Sequence, residues 1–205
     1  MLTSLAAGIA LGLSLIVAIG AQNTYVLQQG MLRRYVLPVV AVCVASDVVL
    51  IGCGVAGLGV VVADRPTLIA VAKWGGVAVL ASYGLRAAWS AARSGVLDTG
   101  SAHGAATTTT AVTTALALTW LNPHVYLDTV LLLGTAAARY GDYRWWFGAG
   151  AAVGSLVWFT ALGFGAGRMS GLLRRPGTWR VLNTAIAATV LALAVRLATM
   201  PLVTF

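Results

Sequence analysis

Charge is what this sequence has least of. Of 205 residues only 9% are Asp, Glu, Lys or Arg, and none is glutamate. Soluble domains carry roughly a quarter charged residues, so a globule of this composition could not keep its surface wet. Cysteine is scarce too. Cys43 and Cys53 are the only two, which excludes a disulfide scaffold. On one helix they would lie about 15 Å apart along the axis, too far to bridge, and they read as small buried hydrophobes. The two histidines and two cysteines have no metal-ligand spacing and form no nucleophile–base pattern, which argues against an enzyme. No cofactor is called for. The net charge is +8, but the thirteen basic residues form no dense run, so nucleic acid is not an expected partner.

What the sequence has instead is apolar length. Hydrophobic residues make up 60% of it, and the mean hydropathy is +0.91. A membrane-crossing helix needs about 20 apolar residues. Six stretches qualify: Leu2 to Leu32, Tyr35 to Val62, Pro66 to about Ser90, Ala111 to Ala138, Trp145 to Gly167 and Trp179 to Thr199. The first basic residues, Arg33 and Arg34, follow the first stretch rather than precede it, so it reads as a retained span and not a signal peptide. The apolar runs do not alternate as barrel strands do. Only the segment Leu97–Gly104, running into Thr107–Thr110, looks like a loop. Basic residues are modestly more frequent after the first, third and fifth spans, which puts both termini outside the cytoplasm.

The third and sixth spans share a pattern. Arg65-Pro66 and Arg175-Pro176 open them, Arg86-Ala87-Ala88 and Arg196-Leu197-Ala198 close them, and each pair is 110 residues apart. The second and fifth spans both end in glycine-rich tails. The first and fourth each carry a polar interruption followed by tyrosine, Gln22-Asn23-Thr24-Tyr25 and Asn122-Pro123-His124-Val125-Tyr126. Copies with three crossings must lie upside down relative to each other, an architecture of secondary transporters. The expected fold is an all-α integral membrane protein of six transmembrane helices. They form two inverted three-helix repeats, residues 1–92 and 111–205 around a loop at 93–110, with broken first and fourth helices.

Asp47 and Asp128 lie inside apolar spans. A carboxylate at mid-bilayer costs about 2.5–3.5 kcal/mol even on the lenient insertion scale, so each must face a cavity or a partner. Lys73, inside the third span, could be that partner. Asn122-Pro123 breaks the fourth helix because proline removes a donor and clashes with the preceding turn; in a membrane the freed groups need protein or a watery cavity. The half-helix starting there would aim amide donors at a carboxylate; a plain kink is the bland alternative. Gln22 and Asn23 offer a matching break in the first span. His124 precedes Asp128 by four residues, hence on the same helix face, as a proton relay or as a structural histidine. Tyr25, Trp74, Trp120 and Tyr126 could contact a cation through their π faces or merely pack. Glycine pairs four apart, such as Gly8 with Gly12 and Gly150 with Gly154, suit close helix packing and leave a homodimer open.

In order along the chain, Ala18-Ile19-Gly20-Ala21-Gln22-Asn23, Ser46-Asp47, Lys73-Trp74-Gly75-Gly76 and Thr119-Trp120-Leu121-Asn122-Pro123-His124-Val125-Tyr126-Leu127-Asp128 resemble the LysE-type family of bacterial lysine and arginine exporters. The resemblance covers nearly the whole chain. It implies a multi-pass inner-membrane exporter of basic amino acids, and it singles out the pair Asp47 and Asp128. Many members have proline where this chain has Ala21. In the expected mechanism the two aspartates receive the two cationic groups of lysine or arginine, and protons compete for the same sites. Moving one positive charge outward costs about 2.3 kcal/mol per 100 mV; a counter-moving proton cancels it. Cargo, protons and lipid are then the partners. Rival readings are a pore, which needs a ring of charges or carbonyls from an oligomer, or an exporter of neutral amino acids or of a metal cation.

Overall fold

In a computed structural model, residues 1–17, 20–58, 66–92, 107–168 and 176–200 are described. The loop-like stretch at 97–104, Arg65, Arg175 and the end of the second expected span lie outside them. Every regular element among the described residues is helical: α1 (Leu2–Ile16), α2 (Ala21–Leu32), α3 (Val36–Val55), α4 (Pro66–Ala92), α5 (Thr108–Trp120), a short α6 (Pro123–Val125), a π-helical segment (Tyr126–Leu132), α7 (Leu133–Ala138), a 3-10 turn (Gly141–Tyr143), α8 (Arg144–Ala166) and α9 (Pro176–Thr199). The threonine run expected as loop opens α5 instead. Thr107 caps that helix, its side chain accepting the Thr110 N–H, as hydroxyl N-caps do.

Among the described residues, three segments are individually long and apolar enough to cross a bilayer: Val36–Val55, Gly141–Ala166 and Arg180–Thr199. The pair α1 and α2, bent by 85°, counts as a fourth if it is one span. Of the other two expected spans, one is a continuous helix and one is broken. Helix α4 is continuous over 27 residues, about 40 Å, long enough to cross a bilayer, with Lys73 and Arg86 inside it. The Thr108–Ala138 stretch is divided by Asn122-Pro123 into pieces too short to span alone.

Helix α1 runs along α8, α4 runs along α9, and α3 packs on α5, α8 and the π segment. Glycine makes the α1–α8 seam. A Cβ on Gly8 would collide with the carbonyl of Phe147, and one on Gly150 with that of Leu5. The glycine spacings that left a homodimer open are therefore spent inside the molecule. Gly76 plays a related part, since a Cβ there would strike the carbonyl of Leu121; it lets α4 reach the break in the fourth stretch. The main core joins Tyr25, Val26, Val39, Cys43, Leu118 and Phe159. Large apolar side chains such as Leu37, Val48, Val71, Leu85, Val157 and Val195 point outward, as acyl chains require. Trp145 and Trp146, beside Arg144 at the start of α8, are exposed too and suit a headgroup boundary. Both cysteines are free.

Candidate functional site

The two interruptions converge on one cavity of about 270 Å³. Gly20, Ala21, Gln22 and Asn23 line it from the first; Asn122, His124 and Val125 line it from the second. Asp47 reaches it from α3 and Asp128 from the π segment. Phe159, Leu80 and Leu193 supply apolar wall. Small-molecule pockets begin at about 300 Å³, so the space suits one amino-acid-sized molecule rather than a peptide.

Each break is bridged in the same way. A side chain from the second half-helix reaches back to a carbonyl at the end of the first. Asn23 Nδ2 donates to Ile16 O at 2.6 Å, and Tyr126 Oη donates to Trp120 O at 2.7 Å. Asn23 is itself held by Trp158, whose indole N–H donates to Asn23 Oδ1 at 3.2 Å. Carbonyls left open by a helix end are thus satisfied without water, which buried backbone requires. Both half-helices start alike, with Gly20 as N-cap before Ala21 and Asn122 before Pro123. The first position of a helix is where proline is tolerated. Ala21 therefore occupies the proline position of the other break, and the chain turns sharply there without one.

The half-helix at Pro123 does not offer the free donors that the sequence suggested. Proline has no N–H, the His124 N–H donates to Asn122 Oδ1 at 3.1 Å, and the Val125 N–H donates to Asn122 O at 3.1 Å. The segment then widens into a π-helix, in which Leu133 N–H donates to Asp128 O, five residues back. Such insertions are frequent at functional sites. His124 and Asp128 share the cavity wall, although the helix between them is not the regular α-helix from which a shared face was expected.

Asp47 is buried at 4% exposure, and its Oδ2 accepts a 2.6 Å hydrogen bond from Ser155 Oγ on α8. Ser155 is fully buried, so it fixes the carboxylate while leaving Oδ1 for other partners. Nothing in the sequence near Ser155 drew attention to it. Arg196 is the second residue missed: exposed on α9, it is also among the residues that line the cavity. Its repeat with Arg86 was visible, yet its nearness to the end of the last span made it look like a boundary charge. Gln22, expected at the site, lines the cavity with its Nε2 buried and without a hydrogen-bond partner.

The remaining expected residues sit elsewhere. Lys73 Nζ donates to Met200 O at 2.5 Å and lies 5.2 Å from the Trp74 ring centroid. It is therefore engaged away from both aspartates, and Trp74 is 57% exposed on the outer face. Tyr25 is buried; its hydroxyl donates to Ala111 O at 3.3 Å and its ring meets Tyr83 edge-on. Trp120 donates its indole N–H to Ser46 Oγ at 3.1 Å. Tyr25, Tyr126, Trp120, Trp74, Lys73 and Pro123 are not among the lining residues. Tyr25, Trp120 and Tyr126 brace the frame around the cavity, which Phe159 and His124 line. Among the described residues no three His, Cys or Asp side chains gather as a metal site.

Comparison with known proteins places this frame in a family. The LysE type translocator family matches residues 13–201. The lysine exporter LysE of Corynebacterium diphtheriae is 38% identical, with 93% of this chain and 96% of that protein covered. The arginine exporter ArgO of Yersinia enterocolitica is also 38% identical, over 97% of each. A protein of Mycobacterium tuberculosis, provisionally named as an amino-acid transporter, is 46% identical over 89% of this chain and 90% of its own. No solved structure matches. The chain belongs to the LysE family: it is an integral membrane transporter and not an enzyme.

Proposed function

We propose that this LysE-family member exports L-lysine, L-arginine or both from the cytoplasm across the bacterial inner membrane, in exchange for protons. The observation that carries the reading is that Asp47 and Asp128, the two acids inside apolar helices, line one cavity between two broken segments. Each acid receives one of the two cationic groups of the substrate, and with the substrate absent a proton takes the place of its net positive charge. A cation leaving an inside-negative cell costs about 2.3 kcal/mol per 100 mV, and a returning proton offsets that cost. The relatives that export lysine and arginine favour the same cargo.

The architecture that goes with this mechanism is two inverted repeats, α1–α4 and α5–α9, with the residues between them as connector. Support comes from how the helices pair. Helix α1 packs on α8 as α5 packs on α3; α2 packs on α8 as the π segment packs on α3; and α4 packs on α9, its own counterpart. Between α4 and α9 the offset of 110 residues also relates buried positions: Leu80 with Val190, Ala87 with Leu197 and Lys73 with Asn183. A centre shared by two such units can be exposed to one side and then the other by rocking.

The test is counterflow in proteoliposomes holding the purified protein. Labelled arginine or lysine should exchange saturably with unlabelled cargo, and an imposed pH gradient should drive it uphill. Uptake linear in concentration, without response to the gradient, would indicate a pore and refute the exchange.

A further inference from the structure

A basic amino acid brings three charges, two positive and one negative. The two aspartates answer the positive ones. The negative one has no receptor at the second break, because the His124 and Val125 amides are already bonded and Pro123 has none to give. An unanswered charge in a site of low dielectric is expensive. Yet a cationic residue, Arg196, is among those that line the same cavity.

We infer that Arg196 is the carboxylate receptor of the site and selects amino acids against the corresponding amines. The inference rests on the export reading above. Its chemistry is specific: a guanidinium presents paired N–H donors that match a carboxylate in a two-bond fork, which a lysine ammonium cannot reproduce. In a cavity that two carboxylates also line, one cation discriminates in charge as well. A diamine satisfies Asp47 and Asp128 but leaves Arg196 facing added positive charge; an amino acid satisfies all three. Gly20, Ala21 and Gln22 line the same cavity at the start of the twelve-residue helix α2. Gly20 has no side chain to cap that start, and the positive end of the helix adds to the attraction. Arg86, the counterpart of Arg196 on α4, is not a lining residue and serves as the control.

The probe is ligand-dependent thermal stabilisation of the purified protein, which reads binding without requiring transport. Arginine is compared with agmatine, and lysine with cadaverine, each amine being the amino acid without its carboxylate. The unaltered protein should prefer the amino acid by at least about tenfold in apparent Kd, the scale of a charge-assisted hydrogen bond. Arg196→Gln should bring that ratio close to one, chiefly by weakening the amino acid, while Arg86→Gln keeps it. Arg196→Lys retains the charge without the fork and should fall between. If Arg196→Gln does not accumulate, the lysine variant decides alone. An undiminished ratio in whichever variant is measured overturns the assignment and leaves the export reading standing. Absence of any binding or exchange of basic amino acids by the unaltered protein would sink the export reading and this one with it.

Discussion

The two breaks that meet at the cavity look alike in position and differ in chemistry. At Gly20 the chain turns with a glycine that has no side chain to cap the helix, and the helix that follows is regular, its positive end toward the cavity. At Asn122 it turns with a proline and a self-capping asparagine, and the helix that follows loosens into a π-turn carrying Asp128. One break therefore presents positive character and the other a negative charge. A pseudo-symmetric frame has two openings of the same shape, and the residues at each decide which part of an asymmetric substrate it faces. Sharing an architecture does not oblige the halves to share a role.

Substitutions at the breaks can test how far that contrast holds. Asn23→Leu should have the largest effect on stability. It strips Ile16 O and the Trp158 N–H of their partner together, and two part-buried groups losing a bond amount to roughly 2–4 kcal/mol, read as a lower Tm in detergent. Asn122→Ala should cost about 0.5–2 kcal/mol, as lost N-caps do. It also frees the His124 N–H toward the cavity, so the second break becomes more like the first. Tyr126→Phe removes one bridging hydrogen bond and should cost about 0.5–1.5 kcal/mol; a loss as large as that of Asn23→Leu would show that the second bridge bears more than the geometry indicates. Smallest of all, Ala21→Pro should change stability by less than about 1 kcal/mol. The position precedes any intrahelical donor, and a strongly negative result would mean that the Ala21 N–H is used.

Much of this frame was legible in the sequence because membranes penalise charge and broken backbone so heavily. Asp47 and Asp128 stood out as lone acids in apolar runs, and Asn122-Pro123 as a proline break; both acids line one cavity with Asn122. The lack of proline at Ala21 did not prevent the first bend, because Asn23 and Trp158 hold it from the side, and such a long-range bond leaves no local signature. Ser155 was invisible for the same reason: its partner lies 108 residues away. The aromatics were misleading in the opposite sense. Tyr25, Trp120 and Tyr126 adjoin the breaks in sequence, but their polar tips are drawn to backbone carbonyls and to Ser46. Lys73 looked like a partner for an acid and instead caps the end of α9 at Met200. Sequence proximity located the site; only packing could sort what lines it from what braces it.

The central claim is that Asp47 and Asp128 jointly hold one cationic substrate that a proton can replace. Gradient-driven arginine counterflow by Asp47→Asn and by Asp128→Asn in proteoliposomes tests it most directly, with the amount of inserted protein measured alongside. The account predicts that each variant inserts normally and loses exchange. Wild-type exchange, still responsive to the pH gradient, in either variant would contradict it.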